Sequence, residues 1–205
     1  VNSEDKTMIV RDNGIGMTAD EVKEYITQIA FSGATDFLEK YKDKTNEDQI
    51  IGHFGLGFYS AFMVADRVTI QTRSYKADAE PVYWECDGES EYAMVKGDKE
   101  TRGTEITLYL NEDSLEFANE YRAREVLDKY CAFMPVEIYI SKEGGEPETQ
   151  NVKEEDLLDT DKVIEYYTEP AKTEEKENED GTKETVEITP EQKMVKIHRR
   201  PFLIN

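Results

Sequence analysis

The sequence is poor in cysteine, histidine, tryptophan and basic residues, and each shortage removes a class of function. Its 205 residues include two cysteines, two histidines and one tryptophan. Cys86 and Cys131 match no metal-ligand spacing. Two thiols in a chain of this size fit a reducing compartment rather than a disulfide-stapled secreted fold, and both read as small buried hydrophobes. His198 has no visible partner in its charged surroundings and reads as solvent-exposed. No apolar run approaches the roughly 20 residues that a membrane-spanning helix needs, so no membrane partner is expected. The opening Val1–Lys6 is polar and acidic, unlike a secretory leader, and the absence of an initial Met points to a cut or partial reading frame. These shortages together point to a cytoplasmic protein.

Acidic residues number 46 against 25 Lys and Arg, a net charge of -21. Such a surface repels phosphate backbones, so nucleic acid is not an expected partner. A nucleotide is still compatible where backbone dipoles and a metal offset the repulsion.

What is present is strongly patterned. Thr7–Val10 reads as a strand running into Asp12-Asn13-Gly14-Ile15-Gly16-Met17. Thr18 then opens a helix, with Glu21 completing a capping box and Val22, Ile26, Ile29 and Ala30 forming its apolar stripe. The stretch from Phe31 to Gln49 is polar and broken, a loop with a short helix near Asp36–Tyr41. Ile50–Asp66 is the most apolar segment, and its glycines lead into a helix expected to be buried on nearly all sides. Period two follows: Val68, Ile70, Thr72; Val82–Trp84; Tyr92–Val95; Ile106, Leu108, Leu110. Phe117–Phe133 returns to helical spacing, and Pro135–Ile140 reads as a last strand. After Ser141 there are 18 acidic and 10 basic residues, with few large apolar ones before Met194, which reads as a charged linker without a core. The expected architecture is α+β: helices covering one face of a mixed, mostly antiparallel sheet, followed by a charged tail.

Three motifs carry chemistry. In the first, a strand ends in Asp12 and two glycines allow close backbone approach, after which comes a capped helix rather than a second hairpin strand. In the second, Gly52-His53-Phe54-Gly55-Leu56-Gly57 precedes helical sequence, where free N–H groups can meet phosphate. Its spacing is neither the dinucleotide fingerprint nor a Walker loop. The third is Arg102-Gly103-Thr104, a hydroxyl at the start of a strand. Each alone reads equally well as a turn, close packing or an ordinary strand residue.

In this order the three resemble the nucleotide-binding fold shared by the ninety-kilodalton heat-shock chaperones, type II topoisomerases, mismatch-repair ATPases and sensor histidine kinases. Ile51–Asp66, Ile29–Gly33 and Arg102–Leu108 are similar to the bacterial, HtpG-type chaperone branch. The likeness runs from about Thr7 to Ile140. It implies a two-layer α/β sandwich of the histidine-kinase/gyrase/chaperone ATPase (Bergerat) type. It also implies a partial ATP-binding domain over residues 1–141, an acidic linker over 142–193, and the lead-in to an absent middle domain over 194–205.

By that resemblance, Asp12 reads the adenine amino group and Thr104 shares its water. Asn13, Gly14, Gly16 and Met17 line that side. Ser32 and Gly33 begin a lid that Gly52, His53, Phe54, Gly55, Leu56, Gly57 and Phe58 end, with the Gly55–Phe58 backbone around the phosphates. Phe31 and His53 replace a commoner Lys and Gln, and His53 reads as a hinge variant rather than a catalyst. The family's general-base Glu and magnesium-holding Asn lie on a helix expected upstream of Val1, so no catalytic residue is assigned here and no turnover is expected from this piece alone. The implied ligands are ATP or ADP with Mg2+. Client proteins and a second protomer would bind through domains absent here. A sensor kinase normally lacks the Gly57–Phe62 run, a topoisomerase needs a basic surface, and a non-enzymatic module would bind no nucleotide.

Overall fold

The computed structural model describes residues 1–27, 57–88, 91–144, 147–177 and 183–205. They fall into two units, Val1–Gly144 with Leu203–Asn205, and Gly145–Phe202.

The first unit is built on strands β1 (Thr7–Arg11), β2 (Ala65–Arg73), β3 (Val82–Cys86), β4 (Tyr92–Lys96) and β5 (Gly103–Leu110). They form one sheet in the order β1-β5-β2-β3-β4, antiparallel at every junction. Side chains alternate between the two faces of a strand. One face therefore gathers Val68, Ile70, Val82, Trp84, Leu108 and Leu110, all buried. The same registers put Arg11, Glu105, Gln71 and Tyr83 on the other face.

The helical elements cover the apolar face. Helix α1 (Ala19–Tyr25) starts where the capping box places it: Glu21 N–H donates to Thr18 Oγ1 at 3.3 Å, and Thr18 N–H donates to the Glu21 carboxylate at 2.7 Å. Val22 and Ile26 point into the core. Ile29, Ala30 and the expected loop helix lie outside the described residues.

The described part of the apolar run does not form the expected buried helix. Gly57–Met63 is a 3-10 segment with no fully buried residue, and Met63 is 78% exposed. Strand β2 begins two residues later, so the apolar side chains are divided between a tight turn and a strand start. The helical stretch around Phe117 is also divided. A 3-10 segment, Glu112–Ala118, precedes α2 (Glu120–Cys131), and extended Asn119 between them caps α2 by accepting the Tyr121 and Arg122 N–H groups. The expected strand over 135–140 shortens to Tyr139–Ile140 (β6). Cys86 and Cys131 are not joined in a disulfide, and both are half-buried rather than buried.

The second unit carries structure where a coreless linker was expected. Strands β7 (Thr149–Lys153), β8 (Val163–Glu169) and β11 (Gln192–His198) form an antiparallel sheet in the order β7-β11-β8. Strands β9 (Lys172–Glu177) and β10 (Lys183–Thr189) pair as a hairpin. Val152, Val195 and Ile197 are buried together, with Leu157 against them. His198 is half-buried in β11 rather than exposed. Alternation explains how so charged a stretch folds, since only every second residue of a strand has to be apolar.

Candidate functional site

Asp12 stands one residue beyond the end of β1, beside the start of β5. Its N–H donates to the Thr104 carbonyl at 2.9 Å. In return, carboxylate oxygen Oδ1 accepts Gly14 N–H at 2.8 Å and Thr104 N–H at 3.3 Å. Both donors go to one oxygen, and Oδ2 takes no hydrogen bond among the described residues. The side chain is exposed.

The glycines have visible reasons. Gly16 has φ +61°, and a Cβ there would sit 1.9 Å from the Arg73 carbonyl oxygen. Gly103 has φ +120°, and its Cβ would sit 2.1 Å from the Asp12 carbonyl oxygen. No side chain fits either position. These approaches press the loop of Asp12–Met17 onto the ends of β2 and β5, and Tyr75 N–H donates to the Ile15 carbonyl at 2.8 Å.

At the centre lies Thr72, fully buried near the end of β2. Its hydroxyl accepts Met17 N–H at 2.9 Å, lies 3.1 Å from the Thr104 hydroxyl and 3.3 Å from the Gly103 carbonyl oxygen. Thr104 is itself 8% exposed. Buried hydroxyls demand partners, and here they find one another. The structure thus brings Asp12, Gly14, Gly16, Met17 and Thr104 together around a residue that sequence reading treated only as a strand position. The available signal was a threonine at an inward place of the Val68, Ile70, Thr72 alternation.

Asn13 is exposed in the same loop. Gly57 and Phe58 are positioned by other contacts. The Phe58 ring meets Trp84 edge-on, with centroids 5.7 Å apart, and the Tyr59 hydroxyl donates to the Ile26 carbonyl at 3.0 Å. Among the described residues a Cβ on Gly57 would meet nothing within 4 Å, so their packing does not explain that glycine. Ser32, Gly33, Gly52, His53, Phe54, Gly55 and Leu56, with Phe31, lie outside the described residues.

Residues 1–104 match the family model of histidine kinase-, DNA gyrase B- and HSP90-like ATPases, a span that contains Asp12 and ends at Thr104. The chain belongs to that ATPase family. Within it, the similarity is to the HtpG-type heat-shock chaperones. The chain is 55% identical over 136 residues to the chaperone protein HtpG of Bacteroides thetaiotaomicron, covering 66% of this chain and 20% of that protein. Against the HtpG of Porphyromonas gingivalis it is 48% identical over 156 residues, 76% of this chain and 22% of that protein. Against that of Pasteurella multocida the identity is 44% over 160 residues, 76% and 25%. The chain thus spans about a fifth to a quarter of the length of the curated relatives it matches. The antiparallel sheet with helices on one face is the two-layer sandwich expected of this ATPase family.

As a nucleotide site the arrangement offers an acceptor and a polar wall. Oδ2 of Asp12 can accept an amino N–H, and a charge-assisted bond of that kind is about twice as strong as a neutral one. The paired hydroxyls beside it can hold a base or a water. Magnesium is a different matter. Among the described residues no three His, Cys, Asp or Glu side chains group as metal ligands, so no metal chemistry is derived from them. No helix among them is long and apolar enough to cross a membrane.

Proposed function

We propose that this chain is the ATP-binding part of a chaperone, with Asp12 reading the adenine amino group and Thr72 and Thr104 lining the base. The observation that carries the reading is the carboxylate of Asp12, one oxygen fixed by two backbone N–H groups and the other left for a ligand. Membership of the ATPase family and similarity to HtpG chaperones support it. Asn13, Gly14, Gly16 and Met17 line the same side. Ser32, Gly33 and the Gly52–Phe58 segment form the lid, with its backbone at the phosphates of ATP or ADP and Mg2+ held by a residue beyond those described.

In the longer parent, ATP binding and hydrolysis would close the lid, clamp two protomers and act on client proteins in the cytoplasm. Residues 142–193 would connect this domain to the next, and 194–205 would lead into it. Among the acids nearest the strand entry, Glu4, Asp5 and Glu24 do not fall in a family motif for water activation, so these 205 residues alone are not expected to hydrolyse ATP.

The test is a thermal melt with and without Mg-ADP, repeated on Asp12→Asn. A ligand at 100 times its Kd stabilises the folded state by about 2.7 kcal/mol. The parent should shift upward and the variant should not. An equal shift in both would remove Asp12 from the site, and a cooperative melt with no shift in either would sink the nucleotide reading for this chain.

A further inference from the structure

The reverse face of the sheet carries an ion-pair cluster directly behind the Asp12 site. Arg11 Nε donates to Glu105 Oε2 at 2.6 Å, and Arg11 Nη1 donates to Glu143 Oε1. Arg11 precedes Asp12 and Glu105 follows Thr104, and the two face one another in the β1/β5 register. Asp12 and Thr104 are the residues that exchange hydrogen bonds at the site. Each of these two therefore has a neighbour on the reverse face, and an ion pair joins the neighbours.

Position gives the pair its leverage. Among the described strands β1 neighbours β5 alone, so it is an edge strand, and Arg11↔Glu105 is its last rung before Asp12. The end of an edge ladder is where a strand opens most easily. The guanidinium also sits between two carboxylates in a chain of net charge -21, where its loss would leave Glu105 and Glu143 facing each other uncompensated. The hydrogen bonds that Arg11 donates to Glu143 and Glu105 hold its charge on, raising its pKa above the ordinary value.

We propose that Arg11 is a positioning residue for the Asp12 site, clamping the last rung of β1 from behind through Glu105 and Glu143. This rests on the nucleotide reading above. Arg11 touches no ligand; it acts through the backbone of Asp12 and Thr104. Its side chain is 52% exposed, so the effect is screened by salt and of moderate size.

The experiment uses the full 205-residue chain as Arg11→Ala, Arg11→Lys and the charge exchange Arg11→Glu with Glu105→Arg. Amide hydrogen exchange is followed at Gly14 and Thr104, whose N–H groups bind Asp12, and at Ile70 and Trp84 in the middle of the sheet. Mg-ADP affinity is measured by calorimetry at low and high salt. Arg11→Ala should speed exchange at Gly14 and Thr104 about two- to fivefold, as expected for losing an exposed ion pair, with Ile70 and Trp84 unchanged. ADP affinity should fall by a similar factor at low salt and by less at high salt. Lysine should recover most of both, and the charge exchange only part, because a carboxylate at position 11 then faces Glu143. Unchanged exchange at Gly14 and Thr104 overturns the proposal, and so does a uniform acceleration at all four amides, which would mark a merely structural role. The nucleotide reading fails separately, if Asp12→Asn binds ADP as the parent does or neither binds it. The exchange rates decide the clamp in either case.

Discussion

The two units use the same antiparallel strand, but they differ in what lies behind it. In the first, ten buried residues from the sheet, α1 and a 3-10 segment make one cluster, and the site sits where three strand ends meet it. In the second, three buried residues and Leu157 are the whole cluster among the described residues, and Leu158, Val163, Ile164, Tyr166 and Ile188 stay exposed. A sheet face backed by a second layer gains several side chains' worth of burial, each about 1.5–3 kcal/mol. A sheet with three such residues depends far more on its ladder and its ion pairs. The lesson is that strand pattern predicts pairing, while a covering layer decides whether the pairing can hold a rigid site.

The sharpest test of the contrast is the same deletion in both places. Ile70 and Ile197 are each fully buried. Ile70→Ala should cost about 2–5 kcal/mol by urea unfolding and take the ADP-induced shift with it. Ile197→Ala should lower the stability of the second unit and leave the ADP shift intact. Loss of that shift in Ile197→Ala would break the comparison.

Next in size is the glycine contrast within the first unit. Gly16→Ala forces a left-handed residue against the Arg73 carbonyl and should cost at least about 1–2 kcal/mol in the melt. Gly57→Ala meets nothing among the described residues and should leave the ligand-free melt unchanged.

The two units should also respond to opposite ends of the pH scale. Asp161 is nearly enclosed and takes a two-pronged ion pair from Arg200, at 2.9 and 2.6 Å. That hydrogen bonding, with the Leu158 N–H, draws its pKa down from 3.8 to about 2. A depressed carboxylate stabilises above its unfolded pKa and loses that contribution as the pH falls through the folded value. Acid titration followed by circular dichroism should therefore show the second unit weakening between about 4 and 2, with the dependence reduced in Arg200→Gln, where the Leu158 N–H still holds the carboxylate.

The smallest effect lies at the alkaline end. Tyr83 is pushed up from 10.0 to about 12, first by burial and then by its hydrogen bond to Glu85. A raised phenol stabilises fully below its unfolded pKa and loses that contribution as the pH rises through the folded one. Tyr83→Phe should flatten the alkaline limb of the first unit's melt and leave the second unit's unchanged.

Local signals account for what was legible in the sequence. The capping box of Thr18 and Glu21 predicted the start of α1, and period two predicted β2, β3, β4 and β5. Asp12, Gly16 and Thr104 stood out because the loop chemistry they require is written in adjacent residues. Composition misled where it was averaged. The apolar run to Asp66 contained both a turn and a strand start, and apolarity alone does not distinguish them. The acidic tail hid Val152, Val195 and Ile197, because a half-buried strand needs few apolar residues. Asn119 carried its own signal as a helix cap, which helical spacing from Phe117 overrode. Thr72 and Arg11 were not legible as site residues, since their partners lie 31 to 132 positions away and only the register of β5 and the contacts of distant loops bring them near.

The sole tryptophan gives the molecule a reporter of its own. Trp84 is 3% exposed, edge-on to Phe58 and stacked with Tyr92 at 6.1 Å. All of the indole emission therefore arises in the first unit, and Phe58 ties it to the segment entering β2. Red-edge excitation would light that unit alone, while far-ultraviolet dichroism sees the strands of both. Watching the two signals part company during a single melt would reveal the order in which the units come undone, with no label attached.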